Sequence, residues 1–539
     1  MLDIKSLLTV TGACVCLLAC QTQQIQSTNQ LANPPAEENV TVVTEPPEPK
    51  LCTIEEYGDP QFELNQNLVL WQRIRDGYAI PDSNHRRIQN YLNWYQRNPG
   101  YLDRVSERGE PYLFYIVEEL EKAGLPLELA LLPIVESAFD PFAYSHGRAA
   151  GMWQFVPGTA KHYGLKQNWW YDGRRDIVAS TEAAITYLTY LRDFFDGDWL
   201  MALAAYNSGE GTVRRAIRKN RRAGKNDDYW SLNLPRETAA YVPQLLALAK
   251  IVGNPEHYQI SLRPIDNRAQ FQKVPIGSQI DLSQAAELAE IDIETLYRFN
   301  PGFNRWATDP TGPHELLIPV EKTTAFVNNL SQLSPEKRVG WERYTIQRGD
   351  SLITIAQKFN TEVATLKSVN GLNGHIIRAG QALMIPVALS SDQHYSLSAD
   401  QRLAKRQNRN PTGNRRKTTY LTQSGDSLWV IARKFNVGVR QLAKWNGMAP
   451  TDPLSVNKEL VVWLKPNQNT ALADQTRDNN AIVRKVHYRV RNGDSFARIA
   501  QKFNLTIADI KKWNTNRARQ KYLQPGDSLT LFVDVKNIN

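Results

Sequence analysis

Apolar residues between positions 64 and 252 recur at the three- and four-residue spacing of amphipathic helices, as in Leu113-Phe114-Tyr115-Ile116-Val117 with Leu120 and again across 183–195. Gly124-Leu125-Pro126 punctuates the pattern, with a glycine to stop one helix and a proline to open the next. The spacing predicts a mostly helical domain over 61–254. After about Pro255 the texture changes. A short strand, a Gly-Asp-Ser turn, two short helices and a second strand recur over 342–387, 418–465 and 486–534. The turns are Gly349-Asp350-Ser351, Gly425-Asp426-Ser427 and Gly493-Asp494-Ser495. Each is followed by an inward Ile-Ala pair (Ile355-Ala356, Ile431-Ala432, Ile499-Ala500). Glycine permits the tight turn, and Asp or Ser can cap the first helix. An Asn near the end of the second helix (Asn370, Asn446, Asn514) is expected to stop it by tolerating a left-handed backbone. Residues 265–325 read as a degenerate copy with Gly277-Ser278 where the others have Gly-Asp-Ser, serving as a spacer against the helical domain. The expected class is α+β and multidomain.

The ends and joints have a different composition. Lys5 precedes an apolar stretch over 7–19, too short to span a bilayer and shaped like an export signal. It ends in Leu17-Leu18-Ala19-Cys20, which resembles the bacterial lipobox. The resemblance implies a signal peptide over 1–19, lipidation of Cys20 and, with Gln21 following, the periplasmic face of the outer membrane. Acyl chains would then supply the anchor. Residues 20–60 are rich in Gln, Asn, Thr, Pro and Glu and predict a flexible tether. The polar, basic stretch 388–417 reads as a solvated linker. The 539 residues carry a net charge of +9, suited to solubility or to a polyanion such as a carboxylate-bearing wall polymer. Of four cysteines, only Cys52 lies outside the first twenty residues, so no disulfide framework or C-x-x-C pair exists. No H-E-x-x-H is present, and neither a metal nor another cofactor is expected.

The chemistry centres on Ala130-Leu131-Leu132-Pro133-Ile134-Val135-Glu136-Ser137, a run apolar on nearly every side. A carboxyl at its end would be partly desolvated, which disfavours ionisation and raises the pKa of Glu136 as a general acid at neutral pH requires; the alternative at this point is an ordinary solvated helix-end Glu. Downstream, Ser145–Phe155 reads as a small, Gly-rich loop that lets backbone approach a ligand, ending in an aromatic stacking or positioning element. Tyr206-Asn207 falls at a helix end, and Glu237-Thr238-Ala239-Ala240-Tyr241 opens another helix.

In this order these segments resemble the catalytic domain of the soluble lytic transglycosylases, which has a goose-type lysozyme fold, over about 111–248. The three repeats resemble LysM modules, which bind N-acetylglucosamine-containing glycans. The resemblance implies a peptidoglycan-cleaving enzyme with Glu136 as sole acid and base. Ser145, Gln154, Tyr206, Asn207 and Tyr241 would line the groove. Peptidoglycan strands would be substrate and module ligand, through turns at 349–351, 425–427 and 493–495, and no nucleic acid is involved. Asp140 reads as a turn residue, leaving no partner carboxylate for the two-acid routes. The alternatives are a lysozyme-like hydrolase and a non-catalytic wall-binding lipoprotein.

Overall fold

The computed structural model describes residues 69–534, apart from 412–413, 466–482 and short breaks in the last module at 492–493, 504, 506, 515–516 and 518–522. The export signal, Cys20 and the tether lie outside the described residues, as does Gly493. No helix among the described residues is long and apolar enough to cross a membrane.

The helical domain opens with α1 (Leu70–Asp76), α2 (Arg86–Arg97) and α3 (Pro99–Lys122). After α3, Gly124 takes a left-handed φ of 63°, as the Gly-Leu-Pro punctuation requires. A 3-10 turn (Leu127–Leu131) leads into α4 (Leu132–Ser137), followed by α5 (Pro157–His162), α6 (Ile177–Phe194), α7 (Trp199–Ser208), α8 (Glu210–Arg222) and α9 (Arg236–Gly253). Asp176 and Asp198 cap α6 and α7, accepting from the Ala179 and Met201 amides at 2.8 and 3.0 Å. Helix α7 is apolar all round, and Met201, Ala202, Leu203, Ala204 and Ala205 are all buried, so it forms the axis of the core. Helix α4 docks its Leu132 and Ile134 into the same core.

Four βααβ units follow. They are β1 (Phe271–Pro275), α10 (Leu282–Leu288), α11 (Ile293–Phe299) and β2 (Glu315–Pro319), with α12 (Thr323–Ser331) as a trailing helix; β3 (Gly340–Thr345), α13 (Leu352–Lys358), α14 (Val363–Val369) and β4 (Ala382–Val387); β5 (Arg416–Leu421), α16 (Leu428–Lys434), α17 (Val439–Trp445) and β6 (Glu459–Leu464); and β7 (Val483–Arg489), α18 (Phe496–Lys502), α19 (Ile507–Trp513) and β8 (Ser528–Asp534). Helix α15 (Ala399–Asn408) lies between the second and third units. Each unit pairs its two strands antiparallel, with Val274 opposite Leu316, Tyr344 opposite Leu383, Tyr420 opposite Leu460 and Tyr488 opposite Leu529.

The repeats are held by a device different from the one the sequence suggests. Asn370 and Asn446 are not left-handed (φ −101° and −106°); the glycines after them, Gly371 and Gly447, take that conformation. The Asn amide instead clamps the second helix to the second strand. Asn446 Nδ2 donates to the Leu442 and Val461 carbonyls at 2.9 and 2.8 Å, and its Oδ1 accepts from Val461 N at 2.7 Å. Asn370, Asn514 and Asn300 repeat the pattern, so the degenerate unit keeps the clamp. The turn residues divide their labour. Ser351, Ser427 and Ser495 cap the first helices. Asp350, Asp426 and Asp494 accept from the strand tyrosine hydroxyl, at 2.7, 2.8 and 2.6 Å, and from a turn amide. Gly349 and Gly425 have φ of 96° and 88°, which the turn demands.

The stretch read as a solvated linker is not one throughout. Tyr395 is buried, its hydroxyl donating to Asp281 at 2.8 Å, and α15 lies against the helical domain, with Arg402 over the Phe142 ring at 4.4 Å. Basic side chains hid this because a long Arg stem packs on apolar surface while its head stays polar. The degenerate unit does pack on the helical domain: Trp170 and Tyr171 enter its core, and Lys166 pairs with Asp309 at 2.8 Å.

Candidate active site

Helix α4 ends one residue after Glu136. Ala138 and Phe139 are both left-handed (φ 53° and 56°), and their amides return to the Ile134 and Pro133 carbonyls at 3.1 Å each. Such backbone costs a non-glycine residue on the order of 1–2 kcal/mol. Burial of the Phe139 ring offsets it by a similar amount. That ring fits because position 109 of α3 is glycine: a Cβ there would lie 2.7 Å from Phe139 Cδ2. The reversal leaves Glu136 at the wall of a cleft of about 810 Å³. Ser145, Gln154, Tyr206, Asn207 and Tyr241 line the same cleft, so residues more than a hundred positions apart in sequence converge on one space.

Tyr241 O–H donates to Glu136 Oε1 at 2.6 Å. Burial raises the Glu136 pKa from its ordinary carboxylate value to about 7; the Tyr241 hydrogen bond opposes the rise, and the negative charge of Glu237 adds to it. Burial, then the neighbouring Glu136 charge, holds the Tyr241 phenol well above its ordinary value, so it remains a donor at neutral pH. The remaining groove residues are fixed by their surroundings. Tyr206 O–H donates to the Trp153 carbonyl at 2.9 Å, and Asn207 Oδ1 accepts from Thr238 Oγ1 at 2.8 Å. Ser145 Oγ accepts from the Gly147 and Ala149 amides, shaping its own loop, and Gln154 Nε2 donates to the Gly151 carbonyl at 2.8 Å.

Three expectations need correction. Trp153 does not present a stacking face: it is fully buried, with its indole N–H on Thr181 Oγ1 at 3.0 Å. Gly151 (φ 81°) makes room for the chain itself, since a Cβ there would sit 1.8 Å from the Arg174 carbonyl oxygen. Asp140 does act in a turn, accepting from the Phe142 amide at 2.9 Å. However, a second carboxylate, exposed Glu237, lines the cleft. Its place in the Glu-Thr-x-x-Tyr segment, one helical turn before Tyr241, was the available signal.

A cleft with one carboxyl whose pKa is raised to about 7 beside a fixed phenol can donate a proton to a bound polysaccharide, and four βααβ units accompany it on the same chain. Family models agree with this class. Residues 114–229 match the transglycosylase SLT domain, 270–335 match the lytic transglycosylase MltD LysM-like domain, and 344–386, 420–463 and 488–532 match the LysM domain. Membrane-bound lytic murein transglycosylase D of Escherichia coli K12 is 36% identical over 473 residues, 87% of this chain and 86% of the relative. An autolysin of Enterococcus faecalis is 31% identical over 32% of this chain and 22% of its own. The solved lytic transglycosylase Slt of Pseudomonas aeruginosa, 26% identical, matches over 28% of this chain and 25% of its own with a TM-score of 0.22. The protein is a lytic transglycosylase acting on peptidoglycan, a peptidoglycan-associated protein of the cell envelope. The chain belongs to the family of membrane-bound lytic murein transglycosylase D.

Proposed function

We propose that Glu136 is the single acid and base of the cleavage, and that the reaction closes on the substrate's own hydroxyl. The carboxyl protonates the oxygen between N-acetylmuramic acid and N-acetylglucosamine as that bond breaks. The 2-acetamido group stabilises the positive centre. Glu136, now ionised and hydrogen-bonded by Tyr241, takes the proton of the muramic 6-hydroxyl as its oxygen bonds to the anomeric carbon. The 1,6-anhydro end forms, water is not consumed, and Glu136 is again protonated. The observation that carries this reading is the carboxyl with pKa about 7 at hydrogen-bond distance from a phenol. Ser145, Gln154, Tyr206 and Asn207 orient the sugar rings in the cleft.

Glu237 is the specific reason to keep hydrolysis as a second reading, since a cleft carboxylate could activate water. Digestion in heavy-oxygen water decides it. Unlabelled anhydro ends support the transglycosylase route; labelled reducing ends abolished by Glu237→Gln would replace it. The three LysM modules hold the enzyme on glycan through their turns, tested by retention on isolated sacculi. Cys20 carries the lipid that anchors the chain to the outer membrane. Loss of palmitate labelling in Cys20→Ala is the expected result, and persistent labelling would refute it.

A further inference from the structure

Five cations and a single carboxylate line a second cavity. It is a space of about 370 Å³ among the helical domain, α15 and the third βααβ unit, lined among others by Arg148, Arg175, Arg402, Arg406, Asp452 and Lys458. Asp452 is fully engaged. It accepts from the Tyr144 hydroxyl at 3.2 Å and the Ala449 amide at 2.8 Å, and it pairs with Arg148 Nε at 2.8 Å. The nearby carboxylate of Asp172 is held by Arg174 through two contacts of 2.9 and 2.8 Å, leaving Arg175 3.9 Å away. Arg175 Nη1 donates to Asn304 at 2.8 Å, but its Nε is buried with no hydrogen-bond partner among the described residues. Arg402 lies over the Phe142 ring, and burial, then the charge of Arg175 and next that of Arg406, lowers its pKa to about 9. Arg406 is exposed along the rim beside Gly447. The unpartnered Nε of Arg175, with Arg402 and Arg406 close by and Asp452 already taken by Arg148, leaves an excess of positive charge that an anion would balance, and guanidinium forks match the planar oxyanion of a carboxylate.

The wall of this cavity is also the wall of the catalytic cleft. Tyr144 and Arg148 face the cation pocket, while Ser145, His146, Gly147 and Ala149, on the same short loop, line the cleft of Glu136. A group covalently carried by a sugar in the cleft therefore has only this loop to cross. The peptide borne by muramic acid carries free carboxylates and is such a group. We propose that the cavity is a carboxylate-binding subsite for the peptide of peptide-bearing glycan, so that α15 and the second LysM module complete the substrate site and bias the enzyme toward strands that keep their peptides. The proposal rests on the cleavage reading above.

The test compares the full chain with its Arg406→Ala and Arg402→Gln variants on peptide-bearing strands and on strands stripped of peptide by an amidase. The wild-type ratio of kcat/KM, peptide-bearing over stripped, is expected to exceed one. In either variant it should fall about tenfold, the loss of roughly one charge-assisted hydrogen bond, through KM rather than kcat. A ratio unchanged in both variants overturns the proposal. A wild-type chain that releases no anhydro product from either substrate instead overturns the cleavage reading. Calorimetric titration separates the sources of the anion. Binding of free stem peptide that is lost on amidating its carboxyls and in Arg406→Ala supports the assignment. Binding only of inorganic phosphate, or only of phosphatidylglycerol vesicles, overturns it.

Discussion

Replacing Glu136 by Gln tests the site through stability as well as through catalysis. The Glu136 pKa is raised from 4.5 to about 7, chiefly by burial. The folded state therefore binds a proton more tightly than the unfolded chain does. Below about pH 4.5 both states are protonated and the site imposes no penalty. As pH rises toward 7 the unfolded chain ionises first, and stability falls; above 7 the penalty is constant. Each tenfold change in proton affinity is about 1.4 kcal/mol, so the penalty is at most about 3 kcal/mol. It shrinks to the extent that cleft water reaches the carboxyl. The Gln variant cannot ionise, yet its amide oxygen can still accept from Tyr241. It should match the wild type near pH 4.5 and melt higher at pH 8, by roughly 2–4 °C per kcal/mol for a domain of this size. Paired thermal melts at the two pH values measure the difference, and because every other titrating group is common to both proteins, its pH dependence belongs to Glu136. Cleavage of sacculi should be lost in the same variant. Equal melting at pH 8, or a gap that does not change with pH, would refute the claim that burial holds this carboxyl protonated. Surviving cleavage would refute its role.

The remaining predictions use other parts of the structure. Wild-type activity should fall as pH rises through about 7, because the proton to be donated is lost there; a profile flat to pH 9 would contradict this. Tyr241→Phe removes a bond that favours the ionised carboxyl, so the alkaline limb should move to higher pH while kcat drops. Gly151→Ala forces a Cβ against the Arg174 carbonyl at a positive φ, which should cost roughly 2 kcal/mol or more and disorder the cleft loop, read by melting temperature and by KM. Truncation after 417 should weaken retention on sacculi and lower the melting temperature of what remains only slightly, by the loss of the Asp452 contacts to Tyr144 and the partly exposed Arg148. Truncation after 340 also removes Tyr395 from buried Asp281 and should lower that melting temperature; equal melting of the two would count against the docked linker.

What the sequence made legible follows from how local each signal is. The helices of the catalytic domain and the βααβ order of the repeats depend on apolar spacing and turn residues within a few positions, and these predict the elements closely. The acid was only partly legible: the apolar run makes a buried helix plain, but a carboxyl at its end could equally be solvated, and the downstream segments and the family they resemble decided for Glu136. Its partners were named from a resemblance, since no spacing connects Glu136 with Tyr241, 105 residues away. Where the reading failed, a polar residue had a nonlocal partner. The repeat Asn looked like a helix stop but reaches across to the second strand. The turn Asp looked like a cap but holds the strand tyrosine. Arg402 looked like part of a solvated tether but stacks on Phe142. In each case the residue type suited a local role in water, and only the fold supplied the distant backbone or ring that satisfies it better. The same reasoning bears on Glu237. It looked like the first turn of a helix, which it is, and an acidic residue there needs no further explanation. Its presence in the cleft comes from where α9 is placed, and it weakens the inference, drawn from the lack of a second acid, that hydrolysis is barred. The case against hydrolysis therefore rests on the family to which the chain belongs, and the isotope experiment with Glu237→Gln tests it directly.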